Sequence, residues 1–159
     1  RANSTIINSV IESGSEIKHY SLVKNSIISK DSIVGPYARL RPGTKIGNGS
    51  QIGSFVEIKN STIGNFCKIN HMAFIGDAYI EDNVTIGAGT ITCNHDGRKS
   101  QRTTIRSGAY IGSNVNLIAP IEIGKDALIG AGSTISKEAP QDKITIERSK
   151  QVSFEKSEE

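Results

Sequence analysis

The residues with the most chemical potential in this sequence are few. His71 lies in the stretch 69–96, INHMAFIGDAYIEDNVTIGAGTITCNHD, where a repeat that runs through the rest of the chain gives way to a polar segment. An imidazole is the side chain best suited to accept a proton near neutral pH. Glu57 precedes it by a little less than three hexads of that repeat, and its carboxylate can orient such a ring if the chain turns back on itself once in that interval. Arg41 and Lys59 are separated by three full hexads. In a chain that coils with that period they stand one above the other. Like charges so placed repel unless an anion sits between them, so the pair reads either as a phosphate clamp or as two solvated surface cations. His19, His71 and His95 lie too far apart along such a coil to converge on one ion, so no metal site is expected.

What must position these groups is a repeat of about six residues. Aliphatics recur at Ile6, Ile11, Ile17, Leu22, Ile28, Val34, Leu40, Ile46, Ile52, Ile58, Ile63, Ile69, Ile75, Ile80 and Ile86, and again at Ile105, Ile111, Leu117, Ile123, Ile129 and Ile135. A glycine often follows, as at Gly47, Gly53, Gly64, Gly87 and Gly112, and a small or β-branched residue stands four positions on, as at Ser50, Val56, Cys67, Val84, Thr90 and Val115. A period of six is neither helical nor a plain strand alternation. It fits a short strand with its aliphatic inward, followed by a corner that glycine makes easy. Three such hexads form a triangular coil of about 18 residues, and coils stack at roughly 4.8 Å. The expected fold is all-β: a left-handed parallel β-helix of about seven coils. Such hexapeptide solenoids are an exception to the right-handed crossover rule.

The pattern fails over 91–104, where Asp96 and Gly97 give a turn signal and Arg98, Lys99 and Arg102 add charge. A loop over 92–104 should leave the solenoid there. Beyond Ile135 the repeat decays through Ala139 and Pro140. Residues 1–143 therefore read as the solenoid and 144–159 as a segment outside the coils, with the acidic run 155–159 as a solvated tail.

Composition limits the alternatives. Aromatics make up only 5% of the 159 residues, and the 16 glycines are dispersed, which suits a narrow core of similar aliphatics better than a broad globular one. A net charge of +3 is too small to indicate nucleic-acid binding, and no apolar run spans a membrane. Two cysteines, Cys67 and Cys93, form no disulfide framework and fit a reduced, cytoplasmic chain. Because Arg1 already lies within the repeat, the sequence reads as a piece of a longer protein.

Five strings carry a resemblance: GPYARLRPG (35–43), GSFVEIKNSTIG (53–64), IGDAYIEDNVTIGAGTITCNHDG (75–97), IGSNVNLIAP (111–120) and IGAGST (129–134). Together they resemble the C-terminal acetyltransferase domain of the bacterial bifunctional N-acetylglucosamine-1-phosphate uridylyltransferase and glucosamine-1-phosphate N-acetyltransferase family. Hexads alone are shared by many acyltransferases; RLRPG together with GAGTITCN and the following DG is specific.

The resemblance implies a homotrimer with active sites between subunits, moving acetyl from acetyl-CoA to the 2-amino group of glucosamine-1-phosphate for UDP-N-acetylglucosamine synthesis. It implies His71 as base, Glu57 as its partner, Arg41 and Lys59 at the sugar phosphate, and Asn94 at the sugar and acetyl region. It places Ala88, Ser113, Ala131 and Arg148 at acetyl-CoA. No metal is needed for the transfer; the family's Mg²⁺ chemistry belongs to a nucleotidyltransferase domain with no counterpart in these residues. Four positions depart from the family pattern. Phe74 stands for a tyrosine at the sugar phosphate, Thr85 for an asparagine at the sugar, His95 for a tyrosine and Ser100 for a lysine. They leave open an acyltransferase with another acceptor, and a non-catalytic trimerising solenoid is the further alternative.

Overall fold

The computed structural model describes residues 1–155, so of the acidic tail only Glu155 lies within it. Among these residues there is no helix, and so none long and apolar enough to cross a membrane. The chain forms short strands on three flat walls, all paired in parallel. The first wall has eight strands, from Thr5–Ile7 to Thr134–Ile135. The second has seven, from Val10–Ile11 to Ile121–Ile123, and the third has eight, from Glu16–Ile17 to Ile144–Thr145. Every strand pairs with the one a full coil away, not with its sequence neighbour, as a β-helix requires. The hexapeptide pattern is that of the left-handed form.

Most coils advance by 17 or 18 residues, as Asn60 beside Asp77 and Arg39 beside Glu57 show; the coil that carries the loop takes 25, as in Ile91 beside Asn116, and the last takes 16, as in Leu128 beside Ile144. The walls hold nearly eight coils rather than seven. One source of the difference is Ile144–Thr145, which pairs with Leu128–Ile129 and extends the third wall. The chain after 143 thus begins within the coils. Its aliphatic pair is illegible as a hexad because Ala139 and Pro140 interrupt the spacing before it.

The axis is filled as the repeat demands. Ile28, Leu40, Ile46, Ile52, Ile58, Ile63, Ile69, Ile75, Ile80, Ile105, Ile111 and Leu117 are fully buried. Burial of each is worth roughly 1.5–3 kcal/mol. In the second coil Val23, not Leu22, points inward, because a coil one residue short of three full hexads shifts the inward position. Ser50, Val56, Cys67, Val84, Thr90 and Val115 are also buried, filling the angles between walls. Buried hydroxyls there serve the backbone: Ser61 Oγ donates to the Lys59 carbonyl at 2.8 Å and accepts the Ala78 N–H at 2.9 Å.

The glycines after the inward aliphatics have a different cause from the one their spacing suggests. Gly53 and Gly87 are not in the left-handed region. A Cβ at Gly53 would lie 2.0 Å from the Asn70 carbonyl oxygen, and one at Gly87 2.5 Å from the Ser113 nitrogen. These positions need glycine because the next coil's backbone passes too close for a side chain. The left-handed corners fall elsewhere, and many are taken by other residues: Asn25, Asn60 and Asp77 at one edge, Tyr20, Tyr37, Phe55 and Met72 at another. Aromatic residues with positive φ are uncommon and persist only where surroundings over-determine them. Here each corner N–H donates to the corner one coil below, Phe55 to Tyr37 at 3.2 Å and Met72 to Ser54 at 3.0 Å. The rings of Tyr20, Tyr37 and Phe55 stack at 5.1 and 5.4 Å.

The loop is shorter than its sequence suggests. Ile91–Cys93 and Thr103–Ile105 belong to the walls, leaving 94–102 outside. Thr92 takes the inward place expected for an aliphatic and is fully buried. Its hydroxyl accepts the Gly76 N–H at 2.7 Å, so a polar residue is satisfied on the axis. Thr92→Val keeps the shape but orphans that N–H, and should destabilise the chain by about 1–3 kcal/mol in urea unfolding.

Candidate active site

His71 closes the strand Lys68–His71 on the third wall, one residue before the Met72 corner that leads onto the first wall. Its ring is exposed, beside Lys18, Gly53, Ser54 and Asn70. Ser54 lies directly below it in register. Continuing the pairing of Ile69 with Ile86 puts Ala88 directly above it. Ser113 and Ala131 follow one coil apart, tied by the Asn114 N–H to the Ala88 carbonyl and the Gly132 N–H to the Ser113 carbonyl, both 2.8 Å. His71, Ala88, Ser113 and Ala131 thus form one column along an edge of the prism. Arg148 reaches the same edge, its Cδ 3.8 Å from where a Cβ on Gly132 would stand.

Around the corner, Arg39, Glu57 and Phe74 align on the first wall. Two residues further along each strand, Arg41 stands against Lys59, its N–H bonded to the Ile58 carbonyl at 2.8 Å. The one-coil stacking expected of the two cations is present, and Lys24 continues the column below Arg41. Glu57 is engaged differently from the expectation. Its carboxylate accepts from Arg41 at 2.9 Å and from Arg39 at 3.3 Å, and among the described residues it makes no hydrogen bond to His71. Arg41 is long enough to reach across the strand, which spacing alone does not reveal. Both partners are about a third exposed, so the pair is worth at most about 1 kcal/mol and yields readily to an incoming anion.

The far edge of this wall is more firmly held. Asn94 is nearly buried at the root of the loop, where its backbone carbonyl accepts the Gln101 N–H at 2.6 Å. Its side-chain amide donates to Asp77 Oδ2 at 2.5 Å, and Asn60 donates to Asp77 Oδ1 at 2.6 Å. Burial pushes the Asp77 carboxyl up, but hydrogen bonds from Asn60, Asn94 and Ser100 and the nearby Lys59 outweigh it and hold it below the ordinary 3.8. The contribution of this tether is therefore present above the ordinary carboxylate pKa and is lost as the pH falls through and below it. Asp77 is missing from the sequence reading, although Asn60, Asp77 and Asn94 stand one coil apart from each other in the chain and the argument that joins Arg41 to Lys59 finds them equally well.

Gly76 lies between Phe74 and Asn94. A Cβ there would meet the Asn94 amide nitrogen at 2.8 Å and the Phe74 ring at 2.9 Å. The Ser100 hydroxyl lies near enough to Asp77 to donate to its carboxylate, whereas His95 turns its Nδ1 back onto the Gly97 N–H at 3.0 Å. Asp96 Oδ1 accepts the Arg98 and Lys99 N–H groups at 2.8 Å, which leaves those two side chains exposed. Thr85 stands on the third wall between Lys68 and Tyr110, away from Phe74 and Glu57. One chain therefore presents two groups: Arg41, Glu57, Lys59, Phe74 and Asn94 on the first wall, and His71, Thr85, Ala88, Ser113, Ala131 and Arg148 on the third wall and its edge. His19 stands three coils below His71 in the same column and His95 is in the loop, so the histidines do not converge.

Residues 25–60 and 102–137 match the model of the bacterial transferase hexapeptide family (six repeats). The chain is 47% identical over 154 residues to the bifunctional protein GlmU of Ralstonia pickettii, covering 97% of this chain and 34% of the relative. It is 54% identical over 101 residues to that of Carboxydothermus hydrogenoformans, covering 64% of this chain and 23% of the relative. The chain thus spans about a third or less of the curated relatives it matches. Among solved structures, PerB from Caulobacter crescentus in complex with CoA and GDP-perosamine shares the fold at a TM-score of 0.63 and 21% identity, over 73% of this chain and 54% of that one. The acetyltransferase domain of PglB from Neisseria gonorrhoeae does so at 0.64 and 21%, over 77% and 54%.

The three-walled spool with its six-residue period is that of a hexapeptide-repeat transferase. Within that class the sequence is specific: the chain belongs with the bifunctional GlmU proteins and corresponds to their C-terminal acetyltransferase domain. Gly76→Ala is allowed by backbone conformation but crowds Asn94 and Phe74. It should speed amide hydrogen exchange over 94–102, at Gln101 above all, while exchange in the buried strands stays unchanged.

Proposed function

We propose that this chain is a cytoplasmic, acetyl-CoA-dependent N-acetyltransferase whose acceptor is the 2-amino group of glucosamine-1-phosphate, the product feeding UDP-N-acetylglucosamine synthesis. The observation that carries the reading is an exposed imidazole with a narrow column of small residues above it on one edge, together with a neighbouring wall that bears stacked cations. The column of small side chains at Ala88, Ser113 and Ala131 is the surface along which an extended pantetheine arm would lie, and Arg148 supplies a cation for a CoA phosphate. Arg41 and Lys59 receive the sugar phosphate, which displaces Glu57 from Arg41 and frees its carboxylate.

In the reaction, the amine nitrogen attacks the thioester carbonyl carbon while His71 takes the proton from nitrogen. The tetrahedral oxyanion needs a donor. Gly87 and Gly89 N–H groups are committed to the carbonyls of Ile111 and Met72, and among the described residues the Ala88 N–H between them is unspent. The C–S bond then breaks, the thiolate takes the proton from the imidazolium, and amide and free CoA leave. No step calls on a metal ion.

Thr85 and Arg148 lie on a different wall from Glu57, Lys59 and Phe74, so a site that uses both groups is completed by a second copy. We assign the working form as a homotrimer in which the first wall of one chain faces the third wall of its neighbour. A second reading, another acceptor, is favoured by one observation: Phe74 and Thr85 offer fewer donors than the family pattern.

Free-thiol release from acetyl-CoA across a panel of amino sugars tests both. Release with glucosamine-1-phosphate alone supports the first reading, release with a different acceptor the second, and none with any acceptor leaves a scaffold. His71→Ala should lower kcat by about 10²–10⁴-fold, the range of general-base contributions, with the oligomer intact; retained turnover removes His71 from the mechanism. Phe74→Tyr adds a hydroxyl for the phosphate and should lower the KM for glucosamine-1-phosphate by about tenfold, equivalent to roughly 1.4 kcal/mol. An unchanged KM shows that the hydroxyl has no partner.

A further inference from the structure

We infer that Asp77 is a positioning residue that fixes the polarity of the Asn94 amide, so that this side chain turns its carbonyl oxygen, a hydrogen-bond acceptor, toward the amino sugar. The inference rests on the amino-sugar reading above. An ionised carboxylate accepts hydrogen bonds and donates none. Each Asp77 oxygen is met by a side-chain amide, Oδ2 by Asn94 and Oδ1 by Asn60. Both amides must turn their NH₂ groups inward to Asp77, and both carbonyl oxygens must turn away from it. Asn94 is otherwise immobile, since its backbone closes the loop through Gln101 and Thr92. Without Asp77 the amide is free to flip, because its two ends have nearly the same shape.

A comparison inside the same chain argues that this is more than corner construction. At another corner Asp82 stands one coil above Asn65 and grips that one residue, its Oδ1 accepting the Asn65 backbone N–H at 2.7 Å and both its oxygens the Asn65 side-chain amide at 3.2 Å. That carboxylate serves the coil itself. Asp77 instead joins the side chains of two residues from the coils on either side of it, one of them at the root of the loop, and it does so beside Lys59. The glycine lets the Phe74 ring and the Asn94 amide close over its backbone, which sets the two side chains side by side. A ligand there meets a cation for its phosphate and, one step along, an oxygen that accepts N–H or O–H. A flipped Asn94 would turn its NH₂ toward the same groups and take away the acceptor for their hydrogens.

Asp77→Asn is the informative change. Asparagine tolerates the left-handed φ of 50° at this corner, so the fold is kept, but its own amide can donate and the constraint on Asn94 is lost. The KM for glucosamine-1-phosphate should rise about tenfold or more with the KM for acetyl-CoA unchanged. In an Asn94→Ala background Asp77→Asn should have no further effect. The side-chain ¹⁵NH₂ resonances of Asn94 should be protected from solvent exchange in the native chain and lose that protection in Asp77→Asn. Unchanged protection, an unchanged KM, or losses that multiply independently of Asn94 would overturn the proposal. If the native chain releases no CoA with glucosamine-1-phosphate, the acceptor reading fails, and the exchange measurement still decides whether Asp77 sets the amide.

Discussion

Everything in this molecule depends on coil-to-coil registration. Each backbone N–H on a wall finds its acceptor in the coil next to it, so a residue's neighbours lie one full turn away along the chain. Buried isoleucines supply the driving force, but they are nearly interchangeable and choose no register by themselves. Register is chosen by points where only one alignment fits: glycines passed at close range by the next coil, serines whose hydroxyls bridge adjacent turns, and corners whose left-handed residues hold one another by hydrogen bonds. The result is a surface on which sequence distance translates into height along an axis.

That translation explains why much of the site is legible in the sequence. The inward isoleucines and the pairing of Arg41 with Lys59 follow from counting, whereas Ala88, Ser113 and Ala131 are reached through the family resemblance, because the loop breaks the count between Ala88 and Ser113. What counting misses has physical reasons. Leu22 reads as inward, yet a shortened coil shifts the phase by one residue to Val23. Thr92 hides because a threonine in the axis is acceptable only once its hydroxyl has a backbone partner. The contact of Glu57 with Arg41 is not legible because it depends on the reach of an arginine, which is a property of side-chain length rather than of spacing. Ile144 and Thr145 escape the count because Ala139 and Pro140 obscure the last hexad. Spacing finds the corner glycines in the right places for the wrong cause, since close approach, not left-handed conformation, excludes a side chain at Gly53 and Gly87.

The distribution of polar groups around the prism has its own logic. The first wall is rich in charge that is only lightly committed, with Arg41 and Arg39 sharing a single carboxylate and Lys24 and Lys59 flanking it. The edge at Asp77 is the opposite, a tether in which both carboxylate oxygens are engaged by side-chain amides. Loose charge suits a surface that must exchange one anion for another; a satisfied network suits a surface that must keep one geometry. Both lie within a coil of Gly76, whose lack of a side chain lets Phe74 and Asn94 pack side by side.

The coil path also bears on how such enzymes diversify. Where Ile91 pairs with Asn116 the chain takes a markedly longer route to complete its turn, yet the coils above and below keep their alignment. The surplus is a side branch spliced between two mortar joints, and the masonry does not register its length. Natural selection can therefore rewrite the segment 94–102 as a detachable cassette, altering which molecule is admitted at the wall while the spool beneath remains the same building.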